Sequence, residues 1–310
     1  MEKVIEYPQI VATGCGLDVH KEIIVGTISR GNQSFETREF GADTSSLTSL
    51  RDWCKQAGVT HVAMESTGIY WKPVFNILEE DFEILLVNAR HVKNVPGHKT
   101  DKKDSAWLSK LLLSGLLKAS FIPPQDIREL RDLVRYKKKL IGQVSSEKNR
   151  IIKVLEDCNI KLSSVLSDVE GVVGSKVIDA IISGERNVDV LMSFYHGKIK
   201  ASREEFRKAL IGRITPHHIR MLQFHKKRIK DTERFIDDID YEIDKAAEAY
   251  KVEIDLLQTI DGIKKEGAIT IISEIGVDMS KFPNEHHLAS WAGVSPGNNE
   301  SGGKKKESKP

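Results

Sequence analysis

Three stretches, Gly16-Leu-Asp-Val-His20, Glu22-Ile-Ile-Val-Gly-Thr-Ile28 and Ser34-Phe-Glu-Thr-Arg-Glu-Phe40, decide the fold of this chain. The first two read as strands around a tight break. Gly31-Asn32 is a turn signal, and the third stretch alternates apolar and polar residues with the period of a hairpin partner. Working outward, Thr44 or Ser45 is expected to cap a helix whose apolar face is Leu47, Leu50, Trp53 and Cys54. A short buried strand, His61-Val-Ala-Met-Glu65, precedes a helix around Trp71 to Leu78. A second buried strand, Glu83-Ile-Leu-Leu-Val87, leads through a basic loop to a helix from about Asp101 to Leu117. The order βββ-α-β-α-β-α describes an antiparallel meander extended by parallel strands through helical crossovers.

Beyond residue 120 the pattern becomes helical. Leu130, Leu133, Leu140, Ile141, Val144, Ile151 and Leu155 fall three and four apart between Asp126 and about Cys158. Leu222, Ile229, Ile236, Ile243 and Tyr250 recur every seven residues, with Ile239 and Ala246 between them. This seam weakens at His225 and Thr232, and it predicts two long helices packed as a coiled coil. Gly171 to Thr215 reads as shorter helices and turns. Near the C-terminus, Gly262 and Gly267 flank a turn feeding a helix that runs toward Gly276, and Leu288-Ala-Ser-Trp-Ala292 is helical. Ser295-Pro-Gly-Asn-Asn-Glu-Ser-Gly-Gly303 is a loop of turn residues ending at lysines.

The 310 residues, 40% hydrophobic and 30% charged, suit a core-forming chain and exclude bulk disorder. No uncharged apolar run approaches the roughly 18–20 residues of a membrane span, and Met1-Glu-Lys opens no signal peptide. Three widely spaced cysteines, Cys15, Cys54 and Cys158, fit a reduced cytoplasm and argue against a disulfide framework. Net charge is only +2, but Arg90 to Lys118 carries seven bases against two acids, and Arg128 to Lys153 nine against three. With the lysines of the last ten residues, these clusters point to a polyanionic partner.

Four acids carry the chemical signal. Asp18 lies within an otherwise apolar strand, where an unpaired carboxylate is costly. Glu65 ends a buried strand at its carboxyl end, where the sites of open α/β sheets collect. Asp101 and Asp104 stand three apart at a helix start, which the helix dipole alone would also favour. With strands one and four side by side and the last helix across them, all four converge, and their repulsion calls for cations. An all-oxygen set suits Mg²⁺, or Mn²⁺, as a pair about 3.5–4 Å apart. Lys99, Lys102 and Lys103 then stand where a phosphodiester backbone enters.

Asp18 in GLDVHK, Glu65 in AMESTGIYW and the pair in HKTDKKDSAWL resemble the DEDD signature of RuvC-like transposases of the bacterial insertion-sequence family one-ten, the bridge-RNA-guided recombinases. The C-terminal IISEIG and LASWAGVSPGNNESGGK resemble that family's second transposase domain. The resemblance implies an α/β RNase H-like (RuvC-like) domain over 1–120 and a helical coiled-coil dimerisation region over 121–252. It implies a small, mostly α C-terminal transposase domain over 253–310. It also implies Mg²⁺ held by Asp18, Glu65, Asp101 and Asp104, and Ser301 as a nucleophile that links covalently to DNA, with Lys304, Lys305 and Lys306 holding the strand. Partners would be donor and target DNA, a structured noncoding guide RNA and a second copy of the chain, in a cytoplasmic, nucleoid-associated setting without a membrane. The family's C-terminal domain continues past the serine, so ending at Pro310 implies truncation. Two other readings stay open: a RuvC-like endonuclease acting without a covalent intermediate, and an inactive nucleic-acid-binding remnant.

Overall fold

The computed structural model describes residues 10–31, 34–66, 68–88, 104–295, 300–301 and 304–305. The chain divides into two compact units, Met1–Ile122 and Pro123–Pro310.

In the first unit, strands β1 (Thr13–Val19), β2 (Ile23–Arg30) and β3 (Ser34–Gly41) form the expected antiparallel meander. Strands β4 (His61–Glu65) and β5 (Glu83–Val87) add in parallel beside β1, giving the order β3-β2-β1-β4-β5. This mixed sheet is that expected of an RNase H-like domain. Helices α1 (Thr44–Gln56) and α2 (Trp71–Leu78) cover one face, burying Leu47, Leu50, Trp53, Val74 and Leu78 against Cys15, Leu17, Val62 and Met64. The α1 cap differs from the expectation. Asp43, not Thr44 or Ser45, accepts from the Ser46 N–H at 3.1 Å, because a carboxylate one residue earlier reaches the third amide of the helix.

Helix α3 (Asp104–Leu113) covers the other face. It stops four residues before the expected Leu117 because Gly115 adopts a left-handed φ of 64°; residues 101–103 of the expected helix lie outside the described residues. Its approach to β1 is close enough to require glycine. A Cβ on Gly16 would lie 2.1 Å from the Ser105 carbonyl and 2.4 Å from the Ser109 amide. Two buried hydroxyl pairs join the same surfaces: Thr27 with Ser105 at 2.8 Å, and Ser29 accepting from Ser109.

In the second unit, α4 (Gln125–Asp157) and α9 (Pro216–Ala247) lie along each other in opposite directions. Lys137 pairs with Asp240, Glu147 with His225 and Asp157 with His218, so the partner's number falls as the first rises. The seam therefore closes within one chain. Between the two helices come α5 (Leu162–Val165), α6 (Val172–Ile182), α7 (Val188–Met192) and α8 (Arg203–Ala209). They wrap one end of the pair around Val177, Ile178, Phe206, Leu222 and Ile229. At the other end, α10 (Lys251–Leu257) and α11 (Lys265–Ile275) pack Ile254, Ala268 and Ile272 against Ile127, Leu130, Ile239 and Ile243. Helix α12 (Glu285–Trp291) follows, capped by Asn284.

Two seam expectations are corrected and a third is refined. Ile141, expected on the apolar stripe, is 47% exposed, because the partner helix covers only a narrow seam. At the end of α9 the expected Ala246 packs against the core only partly buried, and Ala247 beside it is the more deeply buried alanine. His225 is not a defect: its Nδ1 lies 2.7 Å from the buried Glu147 carboxylate, which also accepts from Arg150 and lies 3.2 Å from Arg228 Nε. Paired, a polar layer costs little and sets register.

Two outcomes test this packing. Gly16→Ala should destabilise the first unit by about 3 kcal/mol, since backbone atoms cannot move aside as a side chain can. Gly142→Ala in α4, with open space around it, should stabilise by roughly 0.5–1 kcal/mol in the same denaturant titration. A neutral Gly16→Ala variant would contradict the close approach. The second outcome concerns α11. Its last carbonyls, Ser273 and Glu274, accept from Arg131 at 2.9 and 2.7 Å, and Arg135 grips the Glu274 carboxylate at 2.7 and 2.8 Å. The Arg135 hydrogen bond holds the Glu274 pKa below its ordinary 4.5. A lowered carboxylate pKa stabilises the fold above the unfolded value and loses that contribution as pH falls through the folded one. The stability gap between wild type and Glu274→Gln should therefore be full at neutral pH and close as pH drops below 4.5. A gap independent of pH would contradict the ion pair.

Candidate functional site

Strand register brings two of the expected acids to one place. In the parallel β1–β4 pair, Gly14 stands opposite His61 and Leu17 opposite Met64. One residue further, the same register sets Asp18 beside Glu65 at the carboxyl ends of both strands. Period-2 alternation settles the face. Cys15, Leu17, Val62 and Met64 point into the core under α1 and α2. Gly14 and Gly16 face α3, so Asp18 lies on the α3 side, and Glu65 does so through Ala63, the partner of Gly16.

The direction of α3 places the third acid. Ser105 approaches Gly16 whereas Leu112 approaches Gly14, so the helix starts over the carboxyl end of β1 and runs toward its beginning. Asp104, the first residue of α3, thus stands at the same end of the sheet as Asp18 and Glu65. The Thr27–Ser105 and Ser29–Ser109 hydroxyl pairs hold the first two turns of α3 in place. These four small polar residues went unremarked in the sequence, although Thr27 and Ser29, two apart on a strand, and Ser105 and Ser109, four apart on a helix, have the spacings of residues sharing a face.

Asp18 is partly sheltered, its side chain 24% exposed, and its Oδ2 lies 3.1 Å from His20 Nε2. His20 was not anticipated either. The signal was its place two residues beyond Asp18, on the same side of an extended chain.

Among the described residues, no group of three or more His, Cys, Asp or Glu side chains closes to metal-holding distance. Asp101, the fourth expected ligand, lies outside the described residues, as do Lys99, Lys102, Lys103 and Lys306. By residue type and face the donors fit a hard divalent cation: Asp18, Glu65 and Asp104 are carboxylates at one end of one sheet face.

In the second unit Ser301 ends β6 (Glu300–Ser301), which pairs antiparallel with β7 (Lys304–Lys305). Part of the expected loop is thus paired as two short strands, while residues 296–299 and 302–303 lie outside the described residues. Ser301 pairs with Lys304, and Glu300 with Lys305. No helix among the described residues is long and apolar enough to cross a membrane.

Two family models match the chain. Residues 15–160 match one for DEDD transposases of the IS110 type, and residues 254–310 match one described as transposase, IS116/IS110/IS902 family. The first span holds Asp18, Glu65, Asp101 and Asp104, and the second holds Ser301 and the lysines after it. No curated protein matches the chain.

Proposed function

From the premise that this chain belongs to the IS110 family of transposases, and so acts on DNA, we propose that its acids and its C-terminal serine divide the chemistry of strand exchange. The observation that carries this reading is the placement of Asp18, Glu65 and Asp104 on one face and at one end of the sheet.

Asp18, Glu65 and Asp104, with Asp101, would hold Mg²⁺ or Mn²⁺. When bound, the ion supplies Lewis-acid stabilisation of charge on a phosphodiester. The chain's own residues do the rest. The parallel register fixes the spacing of Asp18 and Glu65, and the riveted first turn of α3 fixes Asp104. The His20 ring, 3.1 Å from Asp18 Oδ2, helps fix that carboxylate in place.

Ser301 is the proposed nucleophile. Its Oγ–P bond forms as the phosphorus–oxygen bond to the leaving deoxyribose breaks. The serine proton is lost, and the departing oxygen takes one up. The reverse step, with a hydroxyl from a second strand, releases the serine and joins the ends. Energy is conserved in the linkage, so no external cofactor is needed to reseal DNA. Lys304, Lys305 and Lys306, together with Lys99, Lys102 and Lys103, are assigned to phosphate contacts. A structured noncoding RNA supplying target choice, self-association through the helical region over 121–252, and a cytoplasmic setting complete the reading. The covalent reading is preferred to a nuclease without adduct, with support from the second family match, whose span includes Ser301.

The deciding experiment separates the two sets of residues. Mg²⁺ should raise the melting temperature of the wild type, and Asp18→Asn and Glu65→Gln should each remove that rise and abolish Mg²⁺-dependent strand cleavage. Ser301→Ala should abolish a covalent protein–DNA adduct while leaving DNA binding intact. An adduct that survives Ser301→Ala places the nucleophile elsewhere. Undiminished Mg²⁺ stabilisation in Asp18→Asn removes that residue from the metal set.

A further inference from the structure

Charge along α9 is segregated. Residues 216–230 hold five Lys or Arg and no acid, whereas residues 231–247 hold seven acids and two bases. Two acids of the acidic half answer bases of neighbouring helices, Asp240 with Lys137 at 2.5 Å and Asp244 with Lys265 at 2.7 Å, while Asp231, Glu233, Asp237, Asp238 and Glu242 are exposed. In the basic half, the cations turned toward neighbouring helices are also matched. Lys226 reaches Asp179 of α6 at 2.7 Å, and Arg228 reaches Glu147 of α4.

What is left over forms a line. Arg220, Gln223, Lys227, Lys230 and Arg234 recur at intervals of three and four along one exposed side of α9, where Gln223, Lys227 and Lys230 border a groove shared with Ile229, Glu170 and Asp179. All five are exposed. Among the described residues Arg220, Lys227 and Lys230 make no ion pair, and Arg234 has only a 3.9 Å contact with Asp231. The stripe spans 14 residues, about 21 Å at 1.5 Å per residue. Like charges at this spacing weaken a helix. Three of the four cations have no ion pair among the described residues, and an external polyanion would supply their counter-charge.

We propose that this stripe is a contact surface for the phosphate backbone of duplex DNA. Duplex DNA presents one negative charge per roughly 1.7 Å of axis, so about 21 Å offers more than enough phosphates for four cations. Gln223 adds an uncharged donor of the kind that hydrogen-bonds phosphate oxygens. The surface supplies affinity and orientation rather than sequence choice. By contrast, Arg131, Arg135 and Lys137, in the other basic cluster of the unit, are engaged with Glu274, Asp240 and Glu266. The inference rests on the reading of this chain as a DNA-acting transposase.

The test measures binding of the full chain to a duplex DNA of mixed sequence in chelator, over a series of salt concentrations. Changing Arg220, Lys227, Lys230 and Arg234 together to Gln should reduce the slope of log K against log salt by about 3.6, or about 0.9 per lost phosphate contact. A control removes the same charge from Lys208, Lys251, Lys265 and Lys281, each of which has its own acidic partner. It should keep the wild-type slope. An unchanged slope in the stripe variant, an equal loss in the control, or a loss confined to a structured RNA probe would overturn the proposal. Because the readout is binding without metal, it is independent of cleavage. Failure of the Asp18 or Ser301 assignments leaves this slope where it is, and failure of the stripe leaves those assignments standing.

Discussion

The approach of α3 to β1 at Gly16 is the constraint on which the first unit depends. Backbone packs against backbone there, with no room for even a methyl group. Such contact is possible only because glycine occupies the strand and because small hydroxyls, Thr27, Ser29, Ser105 and Ser109, satisfy one another at the buried interface. The gain is positional. A helix held this close cannot slide or rotate much, so its first residue, Asp104, is fixed at the end of the sheet where Asp18 and Glu65 emerge. The three acids are thereby carried by strand ends and a helix start rather than by loops.

The second unit is organised by charge as much as by apolar burial. Its two long helices run in opposite directions, so the acidic half of α9 lies against the basic half of α4. A parallel arrangement would set basic half beside basic half. The Glu147–His225 layer reinforces the choice, because a register slip would strand a buried carboxylate without its partner. Helix α11 is then anchored by Arg131 and Arg135, which satisfy its terminal carbonyls and its Glu274 carboxylate. On α9, Arg220, Lys227 and Lys230 are exposed and make no ion pair among the described residues.

The segment order, the apolar faces and the identity of the unusual acids follow from the sequence itself. Hydrophobic periodicity of two and of 3.6 is imposed by backbone geometry, so Leu47, Leu50, Trp53 and Cys54 announce their burial without any tertiary information. The acid at the end of an apolar strand is equally legible, because burial without purpose would be costly. Local competition is harder to read. Asp43, Thr44 and Ser45 are all capping residues, and only the backbone conformation selects Asp43. The breaker at Gly115 is visible in the sequence, but a glycine ends a helix only where the chain takes up positive φ.

Long-range pairing lay beyond the sequence altogether. Nothing local ties His225 to Glu147, 78 residues away, or Ser105 to Thr27. Nor could periodicity tell whether the long apolar seams would meet within one chain or across two, since a heptad specifies a face and not its partner. Tertiary structure decided these matters because they depend on which surfaces meet, and only the folded chain brings surfaces together. The sequence by itself determined which residues must be buried and which carry charge; the fold determined which charges are answered inside the protein and which are left facing outward.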